Sequence, residues 1–346
     1  MKTTAAVLVD TTAPLELAEL DIPSLDPGQV LVEIAYSGVC HTQLLEARGR
    51  RGEDRFLPHC LGHEGSGTVL KVGTRVDKVR PGDRVILSWI KGSGQDVPGT
   101  TYAWNGDRVN AGGLTTFARH AVVSENRVTV LPQTVGLRDA ALLGCAAPTG
   151  LGAVFNTADA RPGQSIAIFG TGGVGLCAVG AAAIAGCAPV IAIDLLPARL
   201  ALASAMGATH ILDARSADVP AELAELCPDG LDLAIEATGR PVVMEQALSA
   251  VRPRGGAAVV IGNAAHNERM ALDPTQLNQG KRLLGTWGGD SLPDRDFPRY
   301  CRLLSAGTLS LASLQSDIYP LGAINQALED LESGRAARPL IDMSLS

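Results

Sequence analysis

Two sets of residues in this 346-residue chain are of types that do chemistry. The first is the run Gly170-Thr171-Gly172-Gly173-Val174-Gly175, which matches the pattern G-x-G-x-x-G. It follows an apolar, strand-like SIAIF and opens an apolar helical stretch, LCAVGAAAIAG. In such a turn the first glycine permits the tight bend and the second lets the backbone approach a pyrophosphate. The third lets helix and strand pack closely, and the helix N-terminus adds partial positive charge. Asp194 ends the next strand, 24 positions after Gly170. A carboxylate there accepts hydrogen bonds from adenosine ribose hydroxyls and repels a 2′-phosphate, which points to NAD rather than NADP. The plainer reading of Asp194 is a cap for the helix that starts near Pro197.

The second set is Cys40, His63 and Cys145. His63 sits in Gly62-His63-Glu64-Gly65-Ser66-Gly67, Cys40 ends a strand-like run, and Cys145 lies in LLGCAAPTG. Two thiolates and one imidazole leave a fourth tetrahedral position for water or substrate, the arrangement of a catalytic zinc and not of a closed structural one. Spacing alone does not unite residues this far apart, and a lone buried cysteine serves equally as a small hydrophobe.

The elements around these residues change character along the chain. The first ~145 residues read as short strands and turns: VLVEIAY (30–36), GTVLKVG (67–73), GDRVILSWI (82–90) and TFARHAVV (116–123) lie between Gly, Pro and Asp signals. Within them, Gly92–Gly113 reads as a polar, Gly-rich surface insertion. From about Pro148 strands alternate with helices: SIAIF, VIAI, HILD, LDLAIEA, AAVVIG and RLLGTW, with PARLALASAMGA and PVVMEQALSAV between them. That alternation predicts a doubly wound parallel sheet, so the fold class is α/β with a β-rich first domain. Beyond Gly288, LGAINQALEDLESG fits a helix ending at Gly334. No charged side chain occurs from Ile166 to Ile193, a length that could span a bilayer, but six glycines break it into strand, turn, helix and strand.

Composition bounds the partners. Apolar residues are 46% and charged residues 19%, so a buried core is available. A net charge of −7 argues against a nucleic-acid partner, which needs a concentrated basic face. Seven cysteines, an odd number spread over the chain, fit a reducing cytoplasm better than a disulfide framework. The N-terminal MKTTAAVLVD does not read as a signal peptide, and no membrane partner is expected.

The segments GVCHT (38–42), GHEGSG (62–67), LLGCAAPTGLGAVFNTA (142–158), FGTGGVGL (169–176) and SGRAARPLI (333–341) together resemble the zinc-dependent medium-chain alcohol dehydrogenases over essentially the whole chain. The resemblance implies a GroES-like catalytic domain, residues 1–146 and 288–346, around a Rossmann domain at 147–287. It implies one catalytic zinc on Cys40, His63 and Cys145, with Glu64 close behind and able to exchange with the water ligand. NAD(H) is the implied hydride carrier, and the substrate is a small alcohol, aldehyde or ketone. Thr42 is implied to take the alcohol proton, His41 and Arg338 to contact the pyrophosphate, and Arg199 the adenosine ribose. Val174 and Thr149 are implied to pack on the nicotinamide. Relatives of this kind are mostly homodimers or homotetramers joined by sheet edges, for which RLLGTW (282–287) is the candidate.

The chain also departs from that pattern. No cysteine lies between Cys60 and Cys145, so a structural zinc on four cysteines is excluded there, and packing around Tyr102 and Trp104 must hold the lobe. A relay histidine found in some relatives is Leu45 here, and an aspartate that orients the ligand histidine is Gln43. Trp89, Asn263 and Trp287 fall at substrate-pocket positions, and a buried Asn263 would favour a polar alcohol such as a polyol, cyclitol or sugar. Alternatives are a glutathione-dependent formaldehyde-type enzyme, a polyol or threonine dehydrogenase, and, in another class, a zinc-free quinone or enone reductase or a cofactor-binding structural relative.

Overall fold

Alternation of inward apolar and outward polar residues builds the N-terminal strands, as in Glu16–Asp21, where Ala18 and Leu20 are buried and Leu17, Glu19 and Asp21 are exposed. The structure is a computed structural model that describes residues 1–315 and 317–345. The chain divides into two compact units, one of Met1–Cys145 with Leu292–Ser346, the other of Ala146–Ser291.

The first unit opens with β1 (Lys2–Leu8), β2 (Glu16–Asp21) and β3 (Gln29–Gly38), followed by helix α1 (His41–Ala47). Then come β4 (His59–Cys60), β5 (Glu64–Val72), β6 (Arg84–Ser88), β7 (Thr101–Trp104), β8 (Asp107–Asn110), β9 (His120–Ser124) and β10 (Val128–Val130), and helix α2 (Leu137–Leu142). Strands β1, β2, β7, β8 and β4 close a small barrel filled by Ala5, Val7, Leu20, Cys60, Tyr102 and Val109. Strands β10, β6, β5 and β3 run side by side in a second sheet, and β9 also pairs with β3.

The expected surface insertion at 92–113 is corrected here. Its middle is the antiparallel hairpin β7–β8, a member of the barrel. Tyr102 is 2% exposed and its hydroxyl accepts from Val122 N at 2.8 Å, while Trp104 packs on the barrel core. The Gly and Asn signals mark the turn between these strands. The buried Tyr102 and Val109 mark the strands themselves, and in so short a run composition hides that alternation.

The second unit begins with α3 (Ala146–Gly152) and β11 (Ile166–Phe169), then α4 (Gly173–Ile184), β12 (Val190–Asp194), α5 (Pro197–Ala205) and β13 (His210–Asp213). It continues through α6 (Val219–Leu226), β14 (Leu233–Glu236), α7 (Pro241–Ala250), β15 (Ala257–Val260), α8 (Pro274–Asn278) and β16 (Arg282–Gly285). The sheet is parallel in the order β13-β12-β11-β14-β15-β16, with β16 at the edge. All residues of β11, β12 and β14 are buried, as parallel strands covered on both faces require. The uncharged run 166–193 is therefore β11, α4 and β12, and no helix among the described residues is long and apolar enough to cross a membrane.

Sequence divisions at 146/147 and 287/288 become breaks after Cys145 and after Ser291. The segment up to Ser291 stays with the second unit because Ser291 Oγ donates to Pro148 O at 2.9 Å. The chain returns to the first unit with α9 (Pro293–Ser305), β17 (Ile318–Pro320), α10 (Ile324–Glu332) and β18 (Leu340–Asp342). Helix α10 buries Ile324, Ala327, Leu328 and Leu331, an i, i+3, i+4, i+7 stripe, and ends before Gly334 at φ +78°. Strand β18 then pairs antiparallel with β3, which brings Arg338 beside the ends of β3 and β5.

Candidate metal centre and dinucleotide site

Three backbone turns in the first unit present the trio. Cys40 is the N-cap of α1 just after β3, His63 precedes β5, and Cys145 follows α2. Gly62 holds φ +96°, and a Cβ there would sit 2.6 Å from Phe117 N. A Cβ on Gly144 would sit 2.2 Å from Leu87 O, so only glycine lets the chain before Cys145 press on β6. The result is that one ligand atom from each of Cys40, His63 and Cys145 lies within 4.8 Å of the others. His63 Nε2 stands 3.2 Å from Cys145 Sγ. Donor atoms around tetrahedral zinc are about 3.5–3.8 Å apart, so the set fits zinc, with one position left open.

The charges around the trio suit a cation. A hydrogen bond from Cys145 holds the Cys40 thiol well below its usual range, helped by the charges of Arg338 and His63. Cys145 is pushed up in turn, by its hydrogen bond with Cys40 and by burial, as two adjacent buried thiols resist carrying two negative charges. Behind them Glu64 is 0% exposed and Arg338 3% exposed, and Arg338 Nε donates to Glu64 Oε1 at 2.7 Å. Arg338 Nη2 is ion-paired to the same oxygen.

This pairing alters two sequence expectations. Glu64 stands outside the ligand trio, because its Oε1 is engaged by Arg338. Arg338, expected on a pyrophosphate, is turned inward, since a buried carboxylate requires a buried cation.

Helix α1 supplies the surroundings of the trio. Cys40 Sγ lies 3.8 Å from Thr42 Oγ1, His41 is exposed, and Leu45 is buried. Gln43 is 2% exposed; its Oε1 accepts from Cys40 N at 3.1 Å and its Nε2 contacts His63 Nδ1. The ring of Trp89 stands edge-on to the His63 ring, centroids 6.4 Å apart, and Trp89 N donates to His63 O at 3.2 Å. Glu46, four residues after Thr42 and so on the same helical face, has its carboxyl pushed up by burial. Sequence reading missed Glu46 and Arg127, which donates to Trp89 O. The helical spacing from Thr42 was the available signal for Glu46; nothing local pointed to Arg127.

In the second unit the glycine turn joins β11 to α4. Gly170 has φ +89°, and a Cβ there would meet Thr238 Cγ2 at 2.6 Å, so the loops after β11 and β14 touch where the strand order reverses. A Cβ on Gly175 would lie 1.9 Å from Gly170 O. At Gly172 the nearest atom would be Arg199 Nη1 at 4.0 Å, which leaves the N-terminus of α4, starting at Gly173, open to a pyrophosphate.

Asp194 grips this turn: Oδ2 accepts from Thr171 N at 2.7 Å and Thr171 Oγ1 at 3.0 Å, and Oδ1 from Leu196 N at 3.0 Å. The N-cap of α5 is Leu196, without a side-chain cap. Thr149 Oγ1 is buried without a partner, on a helix that touches Val174 O, and Arg199 Nε is likewise unpartnered. These open donors and acceptors, with the unfilled space over Gly172, fit a dinucleotide.

The substrate-pocket expectations divide. Trp89 is half-buried beside His63. Asn263 is exposed, not buried, because β15 ends at Val260 and the chain there passes over Gly239 at the unit's surface. Trp287 is 75% exposed.

Comparison with known proteins agrees with this geometry. Residues 173–306 match the family described as zinc-binding dehydrogenase, and residues 26–133 match the alcohol dehydrogenase GroES-like domain. The chain is 33% identical to S-(hydroxymethyl)glutathione dehydrogenase of Synechocystis sp., covering 99% of this chain and 100% of that one. Among solved structures it is similar to a zinc-binding-domain alcohol dehydrogenase protein from Burkholderia ambifaria, at 32% identity, TM-score 0.91 and 99% coverage of both chains. It is also similar to benzyl alcohol dehydrogenase from Acinetobacter calcoaceticus, at 30% identity, TM-score 0.90 and 99% coverage of both.

Proposed function

The chain belongs to the zinc-binding alcohol dehydrogenases with a GroES-like domain, and from that premise we propose that it interconverts, with NAD(H), alcohols and carbonyl compounds whose reacting carbon bears an apolar or aromatic group. The observation that carries the reading is the trio of ligand atoms within 4.8 Å, with the Trp89 ring edge-on to His63 as a flat apolar wall.

When bound, zinc supplies a Lewis acid toward a hydroxyl or carbonyl oxygen, and NAD supplies the hydride acceptor. Cys40, His63 and Cys145 would hold the metal, with one position for a substrate oxygen. Thr42 Oγ1 takes the substrate's hydroxyl proton and passes it outward; buried, apolar Leu45 offers no further relay on that helix. Arg338 and Glu64 keep the ground behind the trio charge-balanced and dry. Asp194 and Arg199 would take the adenosine ribose, the N-terminus of α4 the pyrophosphate, and Thr149 and Val174 the nicotinamide, while exposed His41 would offer a cation to the dinucleotide.

A polar alcohol is less well supported with Asn263 exposed. A glutathione adduct has support in the Synechocystis relative's name. Against it, Lys91 is paired with Asp96 at 2.6 Å and Arg127 with Trp89 O, which leaves these lobe cations engaged. A homo-oligomer paired through the edge strand β16, in a reducing cytoplasm, completes the reading.

The test is NADH formation by zinc-replete protein on benzylic and alkyl alcohols, polyols, cyclitols, threonine and S-(hydroxymethyl)glutathione. We expect kcat/KM at least about tenfold higher for the benzylic and alkyl alcohols, one contact's worth of discrimination. Preference for a polyol or for the glutathione adduct refutes the substrate class. Enone reduction by zinc-free protein refutes the reaction class.

A further inference from the structure

Gln43 touches two of the three ligand residues, although it cannot bind the metal itself. It is the third residue of α1 and 2% exposed. Its Oε1 accepts from Cys40 N at 3.1 Å, and its Nε2 lies in hydrogen-bond contact with His63 Nδ1. The other ring nitrogen, His63 Nε2, faces Cys145 Sγ at 3.2 Å. One uncharged side chain braces two ligands from opposite ends of its amide.

An amide has one acceptor atom, the oxygen, and one donor atom, the nitrogen. With Gln43 Nε2 donating to Nδ1, the neutral imidazole carries its proton on Nε2, the atom that looks at the thiol. Ligation through Nε2 requires that atom bare, so the ring proton must then sit on Nδ1. Both neighbours of the amide have become donors: the Cys40 N–H and the His63 Nδ1–H.

We propose that Gln43 is a positioning residue that limits how firmly this centre holds its metal. On metal uptake the amide turns its oxygen toward Nδ1–H, the ring proton moves between nitrogens by exchange with water, and the bond to Cys40 N is given up. A carboxylate at 43 has two acceptor oxygens, serves both donors and adds a negative charge, so it holds the metal longer. The proposal rests on the reading above that the trio binds zinc.

The experiment compares zinc-loaded wild-type protein with Gln43→Glu and with Gln43→Met, which keeps the length and loses the acceptor. Zinc release to a chromogenic pyridylazo chelator is followed by absorbance, with circular dichroism checking the fold of each variant. Changes of this kind are worth roughly 10- to 100-fold in metal affinity. We expect the release half-life to lengthen at least about tenfold in Gln43→Glu and to shorten at least about tenfold in Gln43→Met. Equal half-lives, or the reverse order, overturn the proposal and leave the zinc reading intact. Wild-type protein that takes up no zinc at all overturns both. A second measurement needs no variant: nitrogen NMR of the His63 ring should show Nδ1 unprotonated without zinc and protonated with it. The Cys40 amide proton should exchange faster in the zinc-loaded protein, and unchanged exchange refutes the turn of the amide.

Discussion

Arg338→Met removes the buried cation paired with a carboxylate that is 0% exposed. Arg338 Nε and Glu64 Oε1 are 2.7 Å apart, and at an effective dielectric constant of about 20 their attraction is roughly 6 kcal/mol. Part of that merely offsets the desolvation of two buried ions, and breaking such a pair from one side typically costs about 3–5 kcal/mol. We therefore expect the variant to lose about 3–5 kcal/mol in urea unfolding of the metal-free chain, seen as a lower midpoint at unchanged slope. Methionine fills much of the arginine's volume, so the loss reports the stranded charge and not an empty cavity. Adding Glu64→Gln removes that charge and should recover at least about half of the loss. A single variant that costs under about 1 kcal/mol, or a double variant no more stable than the single one, would refute the view that this pair neutralises itself behind the trio.

Four further outcomes follow from the second unit. Gly172→Ala adds a Cβ with only Arg199 Nη1 at 4.0 Å nearby, so stability should hold within about 0.5 kcal/mol while NADH affinity, read by fluorescence titration, falls at least about tenfold. Gly175→Ala should differ, because its Cβ meets Gly170 O at 1.9 Å: both melting temperature and NADH affinity should drop, and an unchanged melting temperature counts against the packing argument. Asp194→Ala strands Thr171 N and Leu196 N and removes the repulsion of a 2′-phosphate; the ratio of kcat/KM for NAD over NADP should fall at least about tenfold, and an unchanged ratio contradicts the assignment. Burial raises the Glu236 carboxyl above its ordinary 4.5, against hydrogen bonds from Thr238 and Gly239, and Oε2 has no partner. Its folded form favours the proton, so this contribution is present below 4.5 and lost as pH rises through the raised value. Glu236→Gln should therefore melt higher relative to wild type at pH 8 than at pH 5, and a pH-independent difference refutes the sign.

The glycine turn, the strand before it, the helix after it and Asp194 at the end of the next strand were all legible in the sequence. Each depends on local backbone sterics and on side chains a fixed number of positions apart, so the pattern and its cause are contiguous. The apolar runs of the parallel sheet were legible for the same reason, since strands buried on both faces admit few polar residues. The hairpin at 101–110 was not, because Tyr102 and Val109 become core only once β1, β2 and β4 close around them.

The sequence by itself named candidate ligands, and family resemblance grouped them. Only the tertiary structure set Cys40, His63 and Cys145 within 4.8 Å. It also turned Arg338 inward to Glu64 across 274 positions, left Asn263 in solvent and fitted Gln43 between two ligands. Contacts between distant segments are decided by the packing of whole sheets and the pairing of buried charges, and neither is written in the spacing of residues along the chain.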